Sequence, residues 1–312
     1  MTINMRRNMH CALRGLHVRR QGNITVALWA KLTLLGLGVF VAGLALALWL
    51  GSRSQQRALS QLGESLVRVS GPRGAAQVNL NDLSDLPAPV ARYFTRVLQQ
   101  QQPIIQLARF TQVGTLRTDV KGDRWLKFEA SQIVAPPAIG FLWNARIAMA
   151  PLLHVRVRDA LIAGHGSGQV SFLSAFTVAA AGGNLEMNSG ALHRYLAEAV
   201  WYPTALLPSA NLRWSAIDGN TALATLTDNG VTVSLEFRFN TAGEVAGIYT
   251  PTRWGTFDGG YKQVPWEGHF RNYVNRGGIL VPSEGEVGWY LEGEWRSVWK
   301  GTITESNYEF AR

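Results

Sequence analysis

A run of 19 uncharged residues, Leu32 to Leu50, stands directly behind a segment that is basic and free of acid. Residues 1–20 hold five arginines and no aspartate or glutamate. A hydrocarbon layer about 30 Å thick is crossed by roughly 20 apolar residues rising about 1.5 Å each. The run LTLLGLGVFVAGLALALWL meets that length, and Ile24–Ala30 adds an apolar turn ahead of Lys31. The Lys31 amine can snorkel to the interface, the level that the rings of Trp29 and Trp49 also prefer. A transmembrane helix over residues 24–50 is expected, and it constrains where everything after it folds.

The flanks set its direction. Arg6, Arg7, Arg14, Arg19, Arg20 and Lys31 precede or enter the run, whereas only Arg53 and Arg57 follow closely. The positive-inside rule places residues 1–23 in the cytoplasm and 51–312 outside, as a single-pass protein of the cytoplasmic (inner) membrane with a periplasmic or otherwise extracytoplasmic domain. A cleaved signal peptide is the competing reading, since Ala45-Leu46-Ala47 supplies small residues at cleavage spacing. Its basic region is too long and its apolar core exceeds the usual 7–15 residues, so an uncleaved anchor is expected.

Charge is divided along the chain. Residues 1–50 carry six of the 30 basic residues and none of the 21 acidic ones, so the outer part holds 24 against 21. The excess of +9 belongs mostly to the anchor and gives no argument for nucleic-acid binding. The one cysteine, Cys11, lies ahead of the span, which leaves the outer part without disulfides.

Residues 51–85 read as stalk and linker, with Leu59, Leu62, Leu66 and Val69 on one helical face and a break at Gly71-Pro72-Arg73-Gly74. A juxtamembrane helix is the simplest reading; a helix lying on the membrane surface is the alternative. A short helix is expected from Pro89, where Val90, Phe94 and Val97 repeat. Residues 86–312 then form a β-rich domain. VTVSLEFRF at 231–239 alternates without exception, and noisier alternation recurs about ten times, separated by turns such as Asp228-Asn229-Gly230 and Gly277-Gly278. A helix capped by Ser189 and stopped by Pro203 interrupts the strands. The fold class expected is mainly β (α+β): a large curved antiparallel sheet with a helix on its concave face, preceded by one N-terminal transmembrane helix.

The helix segment HRYLAEAVWYPTALLP, residues 193–208, gathers the densest polar and aromatic side chains. Arg194 and Glu198 stand at i, i+4 and pair across a turn. They read as a structural clamp or as the anchor of a polar ligand head, and Glu198 alternatively as a general acid/base helped by Asp159 or His193. Asp159 precedes the turn Gly164-His165-Gly166-Ser167-Gly168 and is expected to serve that turn; the glycines themselves read as a hairpin, because strand follows them. Nine of the eleven tryptophans lie outside the span. Trp201, Tyr202, Trp143, Trp254 and Trp266, with Arg253, are candidate walls of an apolar site. No HExxH or paired histidine spacing points to a metal, no GxSxG elbow to a nucleophile, and no cofactor is expected.

The pattern Arg194-Tyr195-Leu196-Ala197-Glu198 followed by Trp201 and Pro203 resembles a family of uncharacterised membrane-anchored bacterial proteins, defined only as a domain of unknown function. LPAPVARYF at 86–94, FLWNA at 141–145, Asp159 with Gly164 to Gly168, and PWEGHFRNY at 265–273 carry the same resemblance. It implies relatives and no reaction. The expected architecture is similar to the half-barrel of periplasmic lipoprotein carriers such as LolA and LolB, although the anchor departs from a freely diffusing carrier. The function expected is a non-catalytic envelope protein whose outer domain binds a hydrophobic or amphipathic ligand. An extracytoplasmic enzyme and a structural module of an envelope complex are the alternatives.

Overall fold

Alternation of period two builds most of the molecule. The structure is a computed structural model that describes residues 28–71 and 76–311, together with the helix backbone of 5–27. Cys11, the basic tail and Pro72-Arg73-Gly74 lie outside the described side chains. Strands β1 (Ile105–Leu116), β2 (Leu126–Ala135), β3 (Gly140–Ala150), β4 (Leu153–Ile162), β5 (His165–Phe172) and β6 (Phe176–Gly182) form one meander. A second meander holds β7 (Leu212–Ala216), β8 (Thr221–Asp228), β9 (Val231–Phe239) and β10 (Val245–Phe257). It continues through β11 (Gly260–Arg276), β12 (Ile279–Leu291) and β13 (Glu294–Phe310). Pairing of β1 with β13 joins the two into a 13-stranded antiparallel half-barrel whose outer edges are β6 and β7.

That order dictates the role of the intervening chain. Residues 183–211 must travel from one sheet edge to the other, and they do so over the concave face as helix α3 (Leu185–Glu198) and two short 3-10 turns, Ala199–Trp201 and Pro203–Leu206. (Helices α1 and α2 precede it in the chain and are described below.) The crossing buries Leu192, Leu196 and Val200 against inward residues of the sheet, including Val233, Leu235 and Phe237. Asn184 caps α3, its side chain accepting from the Met187 N–H at 2.8 Å, so the helix starts before the expected Ser189. Glycine 183 at φ 79° allows the reversal out of β6 that brings Asn184 to that position. The helix expected from Pro89 is α2 (Ala88–Val97), which buries Val90, Tyr93, Phe94 and Val97 in the same core.

Helix α1 (Met5–Ser70) is continuous from the apolar run into the domain. Its Leu28–Ser70 part is the one helix among the described residues long and apolar enough to cross a membrane, a test that signal sequences also meet. Beyond the run, Leu59, Leu62 and Leu66 pack on the outer face of the sheet against Leu107, Ile133, Ala135, Leu142 and Ala160. Three of the four residues of the stripe read as a stalk are thereby covered by β1–β4, with Leu66 fully buried, while Val69 stays exposed. At the sheet's end α1 passes the β5–β6 turn so closely that a Cβ on Gly51 would lie 2.8 Å from the Ala175 carbonyl oxygen.

Candidate ligand-binding site

Between α3 and the concave face lies a cavity of about 450 Å³. Its walls are mainly aromatic and branched: Trp143, Trp201, Trp266, Trp289, Trp299 and Phe270 are joined by Val157, Val170 and Ile147. The wall extends to Leu116, Arg117 and Thr118, where β1 ends. Glycine 285 keeps this space open, since a Cβ there would stand 3.2 Å from the Trp201 ring and 3.4 Å from Trp299.

One side of the cavity carries a polar relay across four strands and α3. Trp143 Nε1 donates to Gln112 Oε1 at 2.8 Å, and Gln112 Nε2 donates to Gln132 Oε1 at 2.6 Å. Gln132 Nε2 donates to Glu198 Oε2 at 2.6 Å. Arg194 closes the relay, its Nε donating to Glu198 Oε1 at 2.7 Å and its Nη1 to Asp159 Oδ2 at 2.9 Å. Buried amides must be satisfied, and here each donor in turn orients the next acceptor. The Arg194 guanidinium also lies over the rings of Phe141 and Trp143, at 5.0 and 4.9 Å.

The charges sit in a low-dielectric environment. Burial pushes the Asp159 carboxyl above its ordinary value, against the opposing pull of Arg194. The Asp159 side chain retains 39% of its surface and lines the cavity, so the group is enclosed yet reachable by a ligand. Both Glu198 oxygens are engaged, by Gln132 and by Arg194, which suits a clamp.

Arg253 enters from the opposite wall. Its guanidinium stacks over Trp266 and Trp289 at 4.5 and 4.9 Å, and Nη2 donates to the Gly190 carbonyl at 3.0 Å. Burial, reinforced by Arg194, lowers its pKa to about 10, so it stays cationic at neutral pH. Arg253 Nε and Trp201 Nε1 are buried donors without a hydrogen-bond partner in the structure. Both belong to cavity-lining residues. Both atoms lie beneath the cavity surface, and an orphaned buried donor costs about 1–3 kcal/mol, so they are a local cost of packing these rings so closely.

Six of the eight candidate wall residues, Arg194, Glu198, Trp201, Trp143, Arg253 and Trp266, converge on this cavity. Tyr202 does not line it; its ring is fully buried and its hydroxyl donates to the Tyr195 carbonyl at 2.7 Å. Trp254 belongs to a separate groove with Ser189 and His193. The reason is a register shift between Thr250 and Arg253, across Pro251, which changes the phase of β10 and turns Arg253 inward beside Trp254. Asp159 departs from its expected turn role by pairing with Arg194 from the middle of β4. His193 points away from the relay, its Nδ1 3.0 Å from the Ser189 carbonyl, so it does not assist Glu198. The sequence reading missed Gln112 and Gln132, although each is a polar residue in the inward phase of an apolar alternation.

A curved antiparallel sheet folded over helices around an aromatic cavity defines the class: a half-barrel domain, the architecture expected from sequence. The chain belongs to a family of unknown function (DUF6544), whose model matches residues 76–301. No curated protein matches it. Among solved structures it is similar to a DUF1329 family protein from Desulfovibrio piger, at 10% identity over 72% of this chain and 94% of that one, with TM-score 0.41. A putative outer membrane lipoprotein-sorting protein domain from Vibrio parahaemolyticus matches at 8% identity over 65% and 85%, with TM-score 0.37. A LolA superfamily protein from Nitrosomonas europaea matches at 10% identity over 74% and 94%, with TM-score 0.33. The likeness lies in the fold alone.

Proposed function

We propose that the protein is a membrane-anchored, non-catalytic binding protein of the cell envelope, whose half-barrel holds an amphipathic, lipid-like ligand. The observation that carries this reading is an aromatic cavity of about 450 Å³ whose lining includes the arginines Arg253 and Arg194. The volume falls within the roughly 300–1,000 Å³ of small-molecule sites. The tryptophan and valine walls take the apolar part, and a carbonyl, carboxylate or phosphate oxygen of the head is drawn to the Arg253 guanidinium. The Arg194–Glu198–Asp159 cluster holds the facing wall in position. Residues 24–50 tether the domain, with the basic segment on the cytoplasmic side. The cavity reaches the end of β1, which lies at the same sheet end as the turn packed on Gly51, so its rim faces the bilayer.

Brominated fatty acids quench nearby tryptophan fluorescence and report occupancy directly. Titration of the full-length protein in detergent is expected to give saturable quenching. Val170→Trp, which fills the cavity, is expected to abolish the saturable part, and Arg253→Leu to weaken binding roughly tenfold or more. Unsaturable quenching, equal in wild type and Val170→Trp, would sink the proposal.

A further inference from the structure

Large apolar side chains are exposed at one end of the first meander. Leu152, in the β3–β4 turn, is 94% exposed, and Leu153, Phe172, Phe176 and Val178 are also exposed. Leu152 additionally adopts φ 64°, a left-handed conformation that favours glycine or asparagine. The two-residue Pro151-Leu152 turn accounts for the φ, but a turn position of this kind favours glycine or asparagine and does not call for a large exposed apolar side chain.

The position of these turns relative to α1 is fixed by contacts. Gly51, the first residue after the apolar run, packs on Ala175 in the β5–β6 turn. One turn further along, Gln55 Nε2 donates to Thr177 Oγ1 at 3.0 Å, and Gln169 Nε2 donates to Gln55 Oε1 at 3.3 Å. Gln55 lies about 6 Å beyond Gly51 along the helix. The headgroup layer is roughly 5–8 Å deep on each side of the hydrocarbon. The β5–β6 turn therefore stands at headgroup level. The β3–β4 turn is beside it, tied by the Leu173 N–H donating to the His154 carbonyl at 3.0 Å.

Charge points the same way. Arg146, Arg156 and Arg158 project from β3 and β4 on the α1 side of the sheet, and none forms an ion pair among the described residues. Arg156 Nε donates to Ser174 Oγ at 3.0 Å, Arg158 bonds Gln169, and Arg146 contacts His154. Arg156 and Arg158 share a cleft with Ser52, Gln55 and Gln56 of α1. Arg53 adds a further cation over Trp49, at 4.5 Å. Burial first, and then the nearby Arg146 and Arg156, hold the His154 imidazole below its ordinary pKa.

We infer that this end of the half-barrel is a second membrane contact: Leu152, Leu153, Phe172 and Phe176 enter the lipid interface, while Arg146, Arg156 and Arg158 bind phosphates of anionic lipids in the leaflet from which α1 emerges. The inference rests on the reading of residues 24–50 as a membrane span. It goes further in fixing how the domain stands on the bilayer, with its cavity rim held against the lipid surface.

The test uses the full-length chain carrying Cys11→Ser and one new cysteine, labelled with an environment-sensitive fluorophore and reconstituted in nanodiscs. Discs of phosphatidylcholine alone are compared with discs also containing phosphatidylglycerol. A label at Leu152→Cys is expected to be blue-shifted and shielded from iodide in the anionic discs, whereas one at Ala242→Cys, in the β9–β10 turn, stays aqueous. Adding the exposed Arg146→Glu is expected to weaken the shielded population roughly fivefold. Arg146→Lys, which keeps the charge, is expected to restore most of it. A label at Val39→Cys separates the two readings. If Val39 is lipid-buried and Leu152 is as accessible to iodide as Ala242, the contact is refuted while the anchor stands. An iodide-accessible Val39 refutes the span and the contact with it. Shielding of Leu152 that is equal in both kinds of disc, or that follows the domain into detergent without lipid, would overturn the phosphate recognition or point to a protein partner instead.

Discussion

At the scale of residues, the relay on the cavity wall shows what a sequence can and cannot announce. Arg194 and Glu198 are legible because helical spacing alone brings them together, and the structure joins them at 2.7 Å. Gln112 and Gln132 are not, because their meaning depends on which strands pair; only the sheet register places them on one line with Trp143 and Glu198. Replacing Gln132 by Leu leaves the Gln112 amide without its acceptor and Glu198 with one oxygen unserved. A loss of roughly 2–4 kcal/mol is expected, read as a lowered unfolding midpoint in detergent. His193 gives a pH signature of its own. Burial, with Arg253 nearby, lowers its pKa to about 4, from an ordinary value near 6.5. The unfolded chain then binds the proton more readily, so this contribution is fully present above pH 6.5 and is lost as pH falls towards 4. The loss reaches roughly 3 kcal/mol. Asp159, whose pKa is raised, works in the opposite sense: its contribution is fully present below the ordinary carboxylate pKa and is lost as pH rises through the shifted one. The wild-type profile therefore mixes both, and the difference between wild type and His193→Gln isolates the histidine. His193→Gln should flatten the acid limb between pH 6.5 and 4 in denaturant titrations; a variant that tracks the wild type would show that His193 does not carry it.

Among the elements, strand alternation was the reliable guide. The nine residues of β9 alternate in sequence, and their even-numbered members are the less buried ones throughout. Where alternation breaks, function gathers: the shift around Pro251 turns Arg253 into the cavity and moves Trp254 out, a change of phase that no local pattern of VAGIYTPTRWGTF specifies. The beginning of α3 escaped for a similar reason, since Asn184 and Ser189 are both acceptable caps and the tight exit from β6 decides between them. Helix α1 carries the clearest element-scale test. Its Leu66 fills a pocket against Gly140, where a Cβ would lie 2.7 Å from the Leu66 side chain. Leu66→Ala removes that contact without touching the concave core. Hydrogen exchange of residues 55–70 is expected to rise by one to two orders of magnitude, as about 2–3 kcal/mol of local stability is lost, while β9 and β12 stay protected. Uniform loss of protection across the sheet would instead make α1 part of the global folding unit.

For the whole molecule, topology and the proposed tether together would determine how a bound ligand could move. The sheet edges β6 and β7 are far apart in strand order, and the only chain joining them is the one that roofs the cavity. Closing the concave face is thus a consequence of the connection, and α3 cannot leave it without straining the links to β6 and β7. That arrangement was legible only as an expectation that a curved sheet needs cover, because strand order is set by long-range pairing such as β1 with β13. The apolar run, by contrast, was legible at once from length and charge, and on the proposed reading it would restrict the binding cycle. A domain held, as proposed, by residues 24–50 would meet lipid in its own bilayer at an effectively fixed concentration, while a freely diffusing carrier would meet it by collision. In proteoliposomes containing brominated lipid, the rate of tryptophan quenching is therefore expected not to change on dilution of the vesicles. When such vesicles are mixed with lipid-only acceptors, no protein-dependent transfer of the brominated lipid is expected. A quenching rate that scales with vesicle concentration, or transfer that increases with the amount of protein, would indicate an untethered shuttle and remove the anchor from the mechanism.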